Sequence, residues 1–400
     1  MPRKPDPADI SYFAITNTRA RYIPFGIKQA DRLHHMYVIG KTGAGKSTLL
    51  ETLLVQDIEA GRGCCLIDPH GDLAERVIAR IPESRRADLT YVNIADPDQP
   101  WRYNPLTFVP ADKRSLVASG MLEVFQKMWP AAWGQRMEHI LRNTLLALLE
   151  HPETTLADVS RLYNDKAFRA RIVAGIKNDQ VHAFWKKEFP QYNPRYLAEA
   201  LAPIQNKVGA LLADPRLFRF LTDPDNRLRL RRVMDERRIL VINMAKGVIG
   251  EDSAKLLGGL LVTALGLAAF SRADTPPAER RPFFLYVDEF QSFTTLSVAN
   301  MIAELRKYGV GLVLAHQYLH QLEPDVRHAV IGNAGTLITF RLGAEDAALI
   351  AQELAPRFTN EDLLLLGNHY IYVKLMIDGS PSMPFSAITL PPDHTLRHPV

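Results

Sequence analysis

The glycine-rich octapeptide at positions 40–47, GKTGAGKS, constrains the fold of this chain more than any other stretch of it. It fits the pattern G-x-x-x-x-G-K-[ST] of a phosphate-binding loop. An apolar run, residues 36–39, precedes the loop, and a helical pattern, residues 48–54, follows it. Because this motif works only between a strand and a helix, the sequence predicts an α/β core that binds a nucleotide.

The residue types in the loop suit the phosphates of a nucleotide. Glycines allow backbone N–H groups to close around phosphate oxygens, and the N-terminus of the following helix favours negative charge. Lys46 would neutralise the β- and γ-phosphates, and the hydroxyl of Ser47 would bind Mg²⁺. We therefore expect ATP and Mg²⁺ as cofactors, held by Gly40, Lys41, Thr42, Gly43, Ala44, Gly45, Lys46, Ser47 and Thr48.

The composition is that of a globular protein with more than one domain. A length of 400 residues suits a core domain with one large insertion, and an apolar content of 47% is ordinary for a globular chain. The net charge of +4 permits nucleic-acid binding without requiring it. Cys64 and Cys65 are adjacent, which excludes a disulfide framework and a metal-ligand spacing, so we expect two buried, reduced thiols in a cytosolic protein.

Nothing in the sequence predicts membrane insertion. No hydrophobic segment follows the first residues, so we expect no signal peptide. The longest apolar run, residues 256–270, is shorter than the roughly 18 to 20 residues of a membrane span. We interpret it as a buried core helix and expect a cytoplasmic protein that meets a membrane only through a partner.

Apolar runs of strand length alternate with helical patterns along much of the chain. Such near-continuous apolar strands, separated by helices, predict a mostly parallel sheet covered on both faces. Residues 381–384, which lie between two strand-like stretches near the C-terminus, predict a hairpin connection. The predicted strands are residues 36–40, 64–68, 90–94, 239–244, 283–290, 311–317, 336–342 and 370–377.

The alternation stops in the middle of the chain. Residues 106–225 contain no convincing strand and show helical periodicity broken by prolines, which predicts an all-helical domain inserted into the α/β core. The expected organisation is an extended N-terminal segment (residues 1–35), the first part of the ATPase core (36–105), the helical insertion (106–225), and the second part of the core with its C-terminal hairpin (226–400).

A second motif completes a hydrolytic site. The apolar run 283–287 ends in Asp288 and Glu289, the arrangement called Walker B. A buried strand would deliver Asp288 to the Mg²⁺ ion, and Glu289 beside it would polarise an attacking water. A glutamate directly after the aspartate favours hydrolysis over simple nucleotide binding.

Two further strand ends carry polar residues. Gln317 follows an apolar strand and would contact the γ-phosphate or its water, although a strand-end hydrogen bond without catalytic value explains the same residue. Asp68, His70 and Asp72 follow the second strand, where they shape the site or form a turn with Pro69 and Gly71. The sequence does not decide between these two interpretations.

The motifs together resemble the FtsK/HerA superfamily of DNA-pumping ATPases, and within it the TraG/TraD-like coupling proteins of type IV secretion and conjugation. The resemblance extends from about residue 25 to residue 390. It implies a RecA-like P-loop fold and a homohexameric ring with DNA in its channel and ATP between subunits. The motifs that carry it are GKTGAGKS at 40–47, IDPHGD at 67–72, YNPL at 103–106, VDEF at 287–290, LAHQ at 314–317 and GNAGT at 332–336.

The same resemblance implies that an arginine from a neighbouring subunit completes each site. The candidates in this sequence are Arg341, at the end of a predicted strand, and Arg306, in the helix after Walker B. A trans arginine would stabilise charge in the transition state. For either residue, a surface salt bridge is the alternative.

One feature departs from the membrane-bound coupling proteins, which begin with transmembrane helices. None is visible in this sequence, so direct anchoring in a secretion channel is not expected. The partners that the resemblance implies are DNA, of either strandedness, and a type IV secretion component, a relaxase or a nuclease.

Three basic residues are candidate DNA contacts. Arg229 and Arg231 belong to the densest basic run, and Lys246 lies in a glycine-containing loop after a predicted strand. A solvated charged face explains the two arginines equally well. Trp129, Trp133 and Trp185 could stack on single-stranded bases, although tryptophans in helices more often belong to a core.

The sequence therefore predicts a Mg-ATP-dependent, coupling-type ATPase that acts as a ring and pumps DNA in conjugative transfer or DNA processing. The alternative is a regulatory or scaffolding ring ATPase that serves a partner nuclease or a secretion channel without pumping DNA. A related alternative is an ATPase that energises protein secretion. Stimulation of hydrolysis by DNA would separate the first function from the other two.

Overall fold

The computed structural model describes residues 9–17, 22–107, 109–225 and 227–393. The chain divides into two compact units. The first comprises the described residues of Met1–Val92, Leu230–Met244 and Ala268–Val400, and the second those of Asn93–Arg229 and Ala245–Leu267. The predicted domain limits at residues 35, 105 and 225 differ from these bounds. The division into functional domains stays a prediction.

Strands build the first unit around one large sheet. Eleven of them form that sheet, in the order β2-β1-β13-β10-β9-β3-β8-β7-β4-β6-β5, and β11 and β12 form a separate ribbon. The strands are β1 (Ile10–Thr16), β2 (Pro24–Lys28), β3 (Met36–Ile39), β4 (Gly63–Asp68), β5 (Leu89–Asn93), β6 (Ile239–Asn243), β7 (Phe283–Val287), β8 (Val310–His316), β9 (Thr336–Thr339), β10 (Tyr370–Lys374), β11 (Met376–Ile377), β12 (Ser380–Pro381) and β13 (Phe385–Thr389).

The centre of the sheet is parallel, as the sequence predicted. From β9 through β3, β8, β7 and β4 to β6, each neighbouring pair of strands is parallel. Every residue of β3, β4, β7 and β8 is buried, which is why these strands read as continuous apolar runs. Cys64 and Cys65 lie in β4 as free, buried cysteines, and burial raises the pKa of both thiols.

One side of the sheet is antiparallel. β10 pairs antiparallel with β9 and with β13, which confirms the predicted C-terminal hairpin, and β1 and β2 extend the sheet beyond β13. The N-terminal segment, predicted only as extended, therefore contributes two strands to the central sheet, and it also contains α1 at Gln29–Arg32. The run predicted at 370–377 is divided between β10 and β11, with the ribbon of β11 and β12 inside the hairpin connection.

The α-helices account for most of the remaining chain, and the described residues between 106 and 225 contain no strand. In chain order they are α1 (Gln29–Arg32), α2 (Lys46–Glu59), α3 (Asp72–Ala79), α4 (Glu83–Arg86), α5 (Arg114–Met128), α6 (Gln135–Leu149), α7 (Asp158–Asn164), α8 (Lys166–Gly175), α9 (Asp179–Ala183), α10 (Pro194–Leu212), α11 (Pro215–Thr222), α12 (Leu230–Asp235), α13 (Lys246–Ile249), α14 (Glu251–Phe270), α15 (Leu296–Leu305), α16 (Pro324–Asn333), α17 (Ala344–Leu354) and α18 (Asn360–Leu365).

Two of the prolines predicted as breaks in the second unit begin helices. Pro194 starts α10 and Pro215 starts α11, in both cases directly after a residue whose side chain caps the helix. Asn193 accepts a hydrogen bond from the backbone N–H of Tyr196, and Asp214 accepts one from Arg216. Proline is favoured at this position because its missing N–H has no partner in the first turn of a helix.

The apolar run in α14 belongs to a longer helix than expected. The helix begins at Glu251 and continues through a 3₁₀ turn to Asp274. By length and composition alone, residues 251–274 are the one candidate membrane span among the described residues, with a mean hydropathy of 1.7 in a window of which 67% is buried. Within the second unit, Gly120 of α5 lies against Thr263 of α14, so the two helices approach closely.

A buried ion pair supports the end of α2 that lies far from the phosphate-binding loop. The Arg32 guanidinium and the Asp57 carboxylate are both fully buried and joined by two hydrogen bonds of 2.6 and 2.8 Å. The hydroxyl of Tyr286, on β7, donates to the same carboxylate at 2.6 Å. Burial acts to raise the pKa of Asp57, but the charge and hydrogen bonds of Arg32 outweigh it and lower that pKa.

Candidate nucleotide site

The phosphate-binding loop follows β3, between the carboxyl ends of the two neighbouring strands. The N–H of Gly40 donates to the carbonyl of His316 at 3.3 Å, and the N–H of Lys41 donates to that of Arg341 at 2.9 Å. Because β8 and β9 are both parallel to β3, the residues that follow these three strands meet at one edge of the sheet. The loop predicted from sequence therefore lies where α/β proteins bind ligands.

The glycines of the loop are required by its backbone. Gly43 has φ of +74° and Gly45 has φ of +123°, both in the region that favours glycine. A Cβ atom on Gly45 would lie 2.9 Å from Nδ1 of His369. Gly45 is followed directly by α2, which begins at Lys46 without a side-chain cap, so the first N–H groups of that helix are available for phosphate.

Lys46 lies inside the loop. Its ammonium donates to the carbonyl of Gly40 at 2.6 Å and to that of Lys41 at 3.2 Å. Burial lowers the pKa of Lys46, while the carboxylates of Asp288 and Glu289 act in the opposite direction. The predicted cation is thus held at the centre of the loop, beside two acids from another strand.

Asp288 follows β7 and is buried against the phosphate-binding loop. The hydroxyl of Ser47 lies 3.5 Å from its Oδ2. Burial raises the pKa of Asp288 to about 6, and the negative charges of Glu289 and Asp68 add to the effect. A buried carboxylate beside two other acids and a hydroxyl suits a small, hard cation, which would relieve their repulsion.

The residues fit Mg²⁺ only if the nucleotide also supplies ligands. Among the described residues, no group of three or more His, Cys, Asp or Glu side chains is arranged to hold a metal ion. Mg²⁺ usually keeps several waters and binds through one or two carboxylates and substrate phosphates. Ser47 and Asp288 agree with such a partial set of protein ligands.

Glu289 is held by two amide side chains. Its Oε1 accepts a hydrogen bond from the amide of Gln317, and its Oε2 accepts one from Gln291 at 2.5 Å. The backbone of Glu289 is left-handed, with φ of 49°. Gln317 is also bonded to the hydroxyl of Thr42, at 2.7 Å, so its side chain joins the phosphate-binding loop to the Walker B acid. Its role as a γ-phosphate sensor stays a prediction.

The structure favours the turn interpretation for the residues after β4. The carboxylate of Asp68 accepts hydrogen bonds from the backbone N–H groups of His70 and Ala74, both at 2.9 Å. Asp68 therefore organises the connection to α3, while His70 and Asp72 are exposed. Asp68 still influences the site electrostatically, through the pKa of Asp288.

The two candidate arginines lie at opposite ends of the parallel strands. Arg341 is beside the phosphate-binding loop of its own chain, and its guanidinium donates to Asn368 at 3.2 Å. Arg306 lies in the turn before β8, at the end of that strand remote from Gln317, and contacts His34 at 3.1 Å. These positions favour Arg306 for a role in a neighbouring site and Arg341 for a role in its own, and both roles stay predictions.

The sequence did not single out three residues that the fold brings to the candidate site. Gln291 is only two positions after Glu289, a spacing that could have drawn attention to it. Asn368 and His369 come from the connection before β10, and the N–H of His369 donates to the carbonyl of Ala44 at 2.8 Å. No motif marks these two, because only the pairing of β9 and β10 brings them here.

The candidate DNA contacts differ in how strongly their charges are engaged. Arg231 lies within hydrogen-bond distance of the carboxylates of Asp235 and Asp274, which does not favour a phosphate contact. Arg229 is exposed. Lys246, in the second unit, is half-buried rather than exposed and lies 3.7 Å from Glu251. All three roles stay predictions.

Of the three candidate tryptophans, all in the second unit, Trp185 lies in the core, whereas Trp129 and Trp133 are half-buried. Trp185 is buried, and its indole N–H donates to the carbonyl of Asn143 at 3.2 Å. Trp129 stacks on Phe125 with ring centroids 5.0 Å apart. This arrangement favours the core interpretation over base stacking.

A family model matches most of the chain. It is described as the DNA-binding domain of the type IV secretion-system coupling protein, and it matches residues 22–363. No curated protein sequence matches the chain.

Solved structures share the fold at low sequence identity. The bacterial conjugative coupling protein TrwBΔN70, in an unbound form, has 17% identity and a TM-score of 0.65, covering 98% of this chain and 89% of that one. TrwB in complex with a non-hydrolysable ATP analogue has 17% identity and a TM-score of 0.63, covering 92% and 88%. VirB4 of Thermoanaerobacter pseudethanolicus has 15% identity and a TM-score of 0.61, covering 96% of each chain.

Proposed function

The chain belongs to the family of the type IV secretion-system coupling protein DNA-binding domain, and on that premise we propose that it is a Mg-ATP-dependent ATPase that translocates DNA. One observation carries the enzymatic part of the proposal. Lys46 and Ser47 of the phosphate-binding loop lie at the same sheet edge as Asp288, Glu289 and Gln317. Lys46 and Ser47 begin α2, after β3, and the other three residues directly follow β7 and β8.

ATP would bind through the backbone N–H groups of residues 40–48, with Lys46 beside the β- and γ-phosphates. Support comes from TrwB, which has been solved in complex with an ATP analogue and in complex with ADP and Mg²⁺. Ser47 and Asp288 would hold Mg²⁺. When bound, the ion neutralises charge that develops on the phosphates.

Hydrolysis would depend on the orientation of Glu289. Its carboxylate would accept a proton from, or polarise, the water that attacks the γ-phosphate. Gln317, bonded both to Glu289 and to Thr42, is placed to respond to a phosphate in the loop. An arginine from a neighbouring subunit of a hexameric ring would stabilise the transition-state charge. Its position favours Arg306 for this role, and Arg341 is the alternative.

DNA would pass through that ring and contact basic residues. Lys246 and Arg229 are the candidates that we retain, since Arg229 is exposed and Lys246 is half-buried. Two carboxylates lie within hydrogen-bond distance of Arg231, which disfavours that residue. The family supports a nucleic-acid partner, and the overall charge of +4 is compatible with one. Relaxases, nucleases and type IV secretion components are the protein partners that we propose.

Steady-state ATP hydrolysis, titrated with single- and double-stranded DNA at two salt concentrations, tests this function. We expect several-fold stimulation by DNA that weakens at the higher salt concentration, because binding to phosphates releases counterions. Lys177→Ala is the matched control, because it replaces an exposed lysine that is distant from Lys246 in sequence. The salt dependence of the stimulation by DNA should be reduced in Lys246→Ala and unchanged in Lys177→Ala.

Hydrolysis that is indifferent to both kinds of DNA would contradict the translocase function. It would instead favour the regulatory or scaffolding ATPase, or the ATPase of protein secretion, and a search for a protein that stimulates hydrolysis would follow.

A further inference from the structure

Both oxygens of the Walker B glutamate are occupied by amide donors. Gln317 approaches Oε1 of Glu289 from the end of β8, and Gln291 approaches Oε2 at 2.5 Å from the 3₁₀ turn Phe290–Ser292. A side chain held at only one oxygen could still turn about its terminal bond. Two donors on opposite oxygens fix the plane of the carboxylate as well as its position.

The polarity of these hydrogen bonds follows from the chemistry of an ionised carboxylate, which only accepts. The N–H₂ group of each glutamine amide must therefore face Glu289. For Gln317, this leaves the amide oxygen directed toward Thr42, whose hydroxyl donates to it at 2.7 Å. Thr42 thus selects the amide orientation that presents a donor to Glu289.

The charges near Glu289 explain why neutral amide donors suit this position. Glu289 is adjacent to the buried carboxylate of Asp288, and the two negative charges repel each other. The nearby cation does not hold it, since the ammonium of Lys46 donates to the carbonyls of Gly40 and Lys41. Neutral amide donors can hold a carboxylate in this position without removing its charge.

We propose that Gln291 is a positioning residue of the hydrolytic site: together with Gln317, it fixes the carboxylate of Glu289 for its work on the attacking water, and Thr42 fixes the amide of Gln317. The inference rests on the proposed function, because it assumes that Glu289 takes part in hydrolysis. It adds to that function a residue, Gln291, that lies outside the phosphate-binding loop and the Walker B pair.

The competing explanation for Gln291 is structural. Its side chain could simply stabilise the turn after β7, in which the N–H of Ser292 donates to the carbonyl of Glu289 at 2.9 Å. A structural role predicts lower stability and a smaller active fraction. A positioning role predicts a lower turnover number at unchanged nucleotide affinity.

The test replaces Gln291 by alanine, and by leucine to keep the volume of the side chain. We expect kcat to fall about 10- to 100-fold in both variants, since small misplacements of a reacting group have effects of that size. The dissociation constant of ATP should stay within about twofold, since Gln291 would act through Glu289 and not through the groups that hold the phosphates. Ser292→Ala, in the same turn, is the matched control and should keep the turnover of the unmodified protein.

A second measurement removes the remaining ambiguity. If Gln291 acts through Glu289, then Gln291→Ala should cause no further loss in a Glu289→Gln background, because the two effects are not additive. Unchanged kcat in both Gln291 variants, or a full additional loss in the Glu289→Gln background, would overturn the inference while leaving the proposed function intact. An unmodified protein that hydrolyses no ATP, with or without DNA, would overturn both.

Discussion

Two adjacent acids at the end of β7 have different environments. Asp288 is buried and its pKa is raised to about 6, while Glu289 is half-buried and held by Gln291 and Gln317. A carboxylate with a raised pKa and two acidic neighbours favours a bound cation. A carboxylate fixed by amides keeps its charge and a defined direction, which suits work on a water molecule.

Glu289→Gln should therefore separate binding from turnover. The substitution keeps the size of the side chain and removes the charge, so we expect kcat to fall at least about 100-fold while the ATP dissociation constant changes little. Single-turnover hydrolysis and nucleotide binding, measured on the same preparation, test this expectation. Near-normal turnover in this variant would mean that another residue activates the water.

The buried pair of Arg32 and Asp57 makes a separate prediction about stability. Asp57→Asn leaves a fully buried guanidinium without its counter-charge, which should lower the free energy of unfolding by roughly 3–5 kcal/mol. Glu199→Ala, which removes an exposed partner of Arg195, is the matched control and should have little effect. Urea unfolding of the three proteins provides the comparison.

The pH dependence of that difference follows from the lowered pKa of Asp57. A carboxyl group with a lowered pKa in the folded state contributes stability that is fully present above its pKa in the unfolded chain, and that stability is lost as the pH falls through the folded value. The gap between the unmodified protein and Asp57→Asn should thus be constant near neutrality and close in acid. A gap that widens in acid would contradict the assignment.

At the scale of elements, the phosphate-binding loop depends on segments that are distant in sequence. Three residues bond to its backbone: His316 at the end of β8, Arg341 after β9 and His369 before β10. Phe340 and His369 also limit what side chain position 45 can carry, since a Cβ atom there would lie 3.0 and 2.9 Å from them. The shape of the loop is therefore set by the sheet around it as well as by its own glycines.

Gly45→Ala should damage the site through both effects. The positive φ of Gly45 disfavours a side chain by about 1–3 kcal/mol, and the contact with His369 forces that residue to move. We expect ATP affinity to fall at least about tenfold. In Gly43→Ala, φ is also positive but no atom lies within 4 Å of the new Cβ, so the loss should be smaller.

Gly134→Ala provides the matched control for these loop variants. Gly134 has a negative φ of −151° and open space around its Cβ position, so this substitution should leave ATP binding unchanged. Equal losses in Gly45→Ala and Gly43→Ala would show that the backbone conformation, and not the contact with His369, determines the effect. Equilibrium nucleotide binding is the measurement.

At the scale of the whole molecule, the residues of the candidate site lie at the carboxyl ends of the parallel strands, and Arg306 lies at the other end of these strands. A ring in which each subunit completes the site of its neighbour would use a residue of this kind. Arg341, bonded to the phosphate-binding loop of its own chain, is placed to act within its own subunit.

Mixing two inactive variants tests the trans arginine. Lys46→Ala removes the site but keeps the arginine, whereas Arg306→Ala keeps the site but removes the arginine. If Arg306 acts on a neighbour, mixed rings should regain part of the hydrolysis that each variant lacks alone. Recovery with Arg341→Ala in place of Arg306→Ala would instead assign the role to Arg341.

The matched control for the mixing experiment uses Lys46→Ala and Glu289→Gln. Both changes lie in the same site of one subunit, so a ring that contains both gains no complete site. Recovery in this mixture would contradict the interpretation of recovery as complementation between subunits. Absence of recovery with either arginine variant would contradict a trans arginine at both positions.

The sequence alone predicted the phosphate-binding loop, the Walker B pair, the parallel sheet and the helical insertion. Each of these rests on local patterns: spaced glycines, continuous apolar strands, and acids or an amide directly after a strand. Such patterns are fixed by the backbone geometry that a few neighbouring residues must adopt, so they are visible without knowledge of distant contacts.

The tertiary structure decided what local patterns do not contain. The antiparallel pairing of β1, β10 and β13 and the approach of Gln317 to Glu289 depend on which strands become neighbours. The local pattern did not decide between two roles for Asp68, because an aspartate after a strand suits a turn and a nucleotide site equally well. Strand order determines which donors reach each side chain, and strand order results from packing along the whole chain.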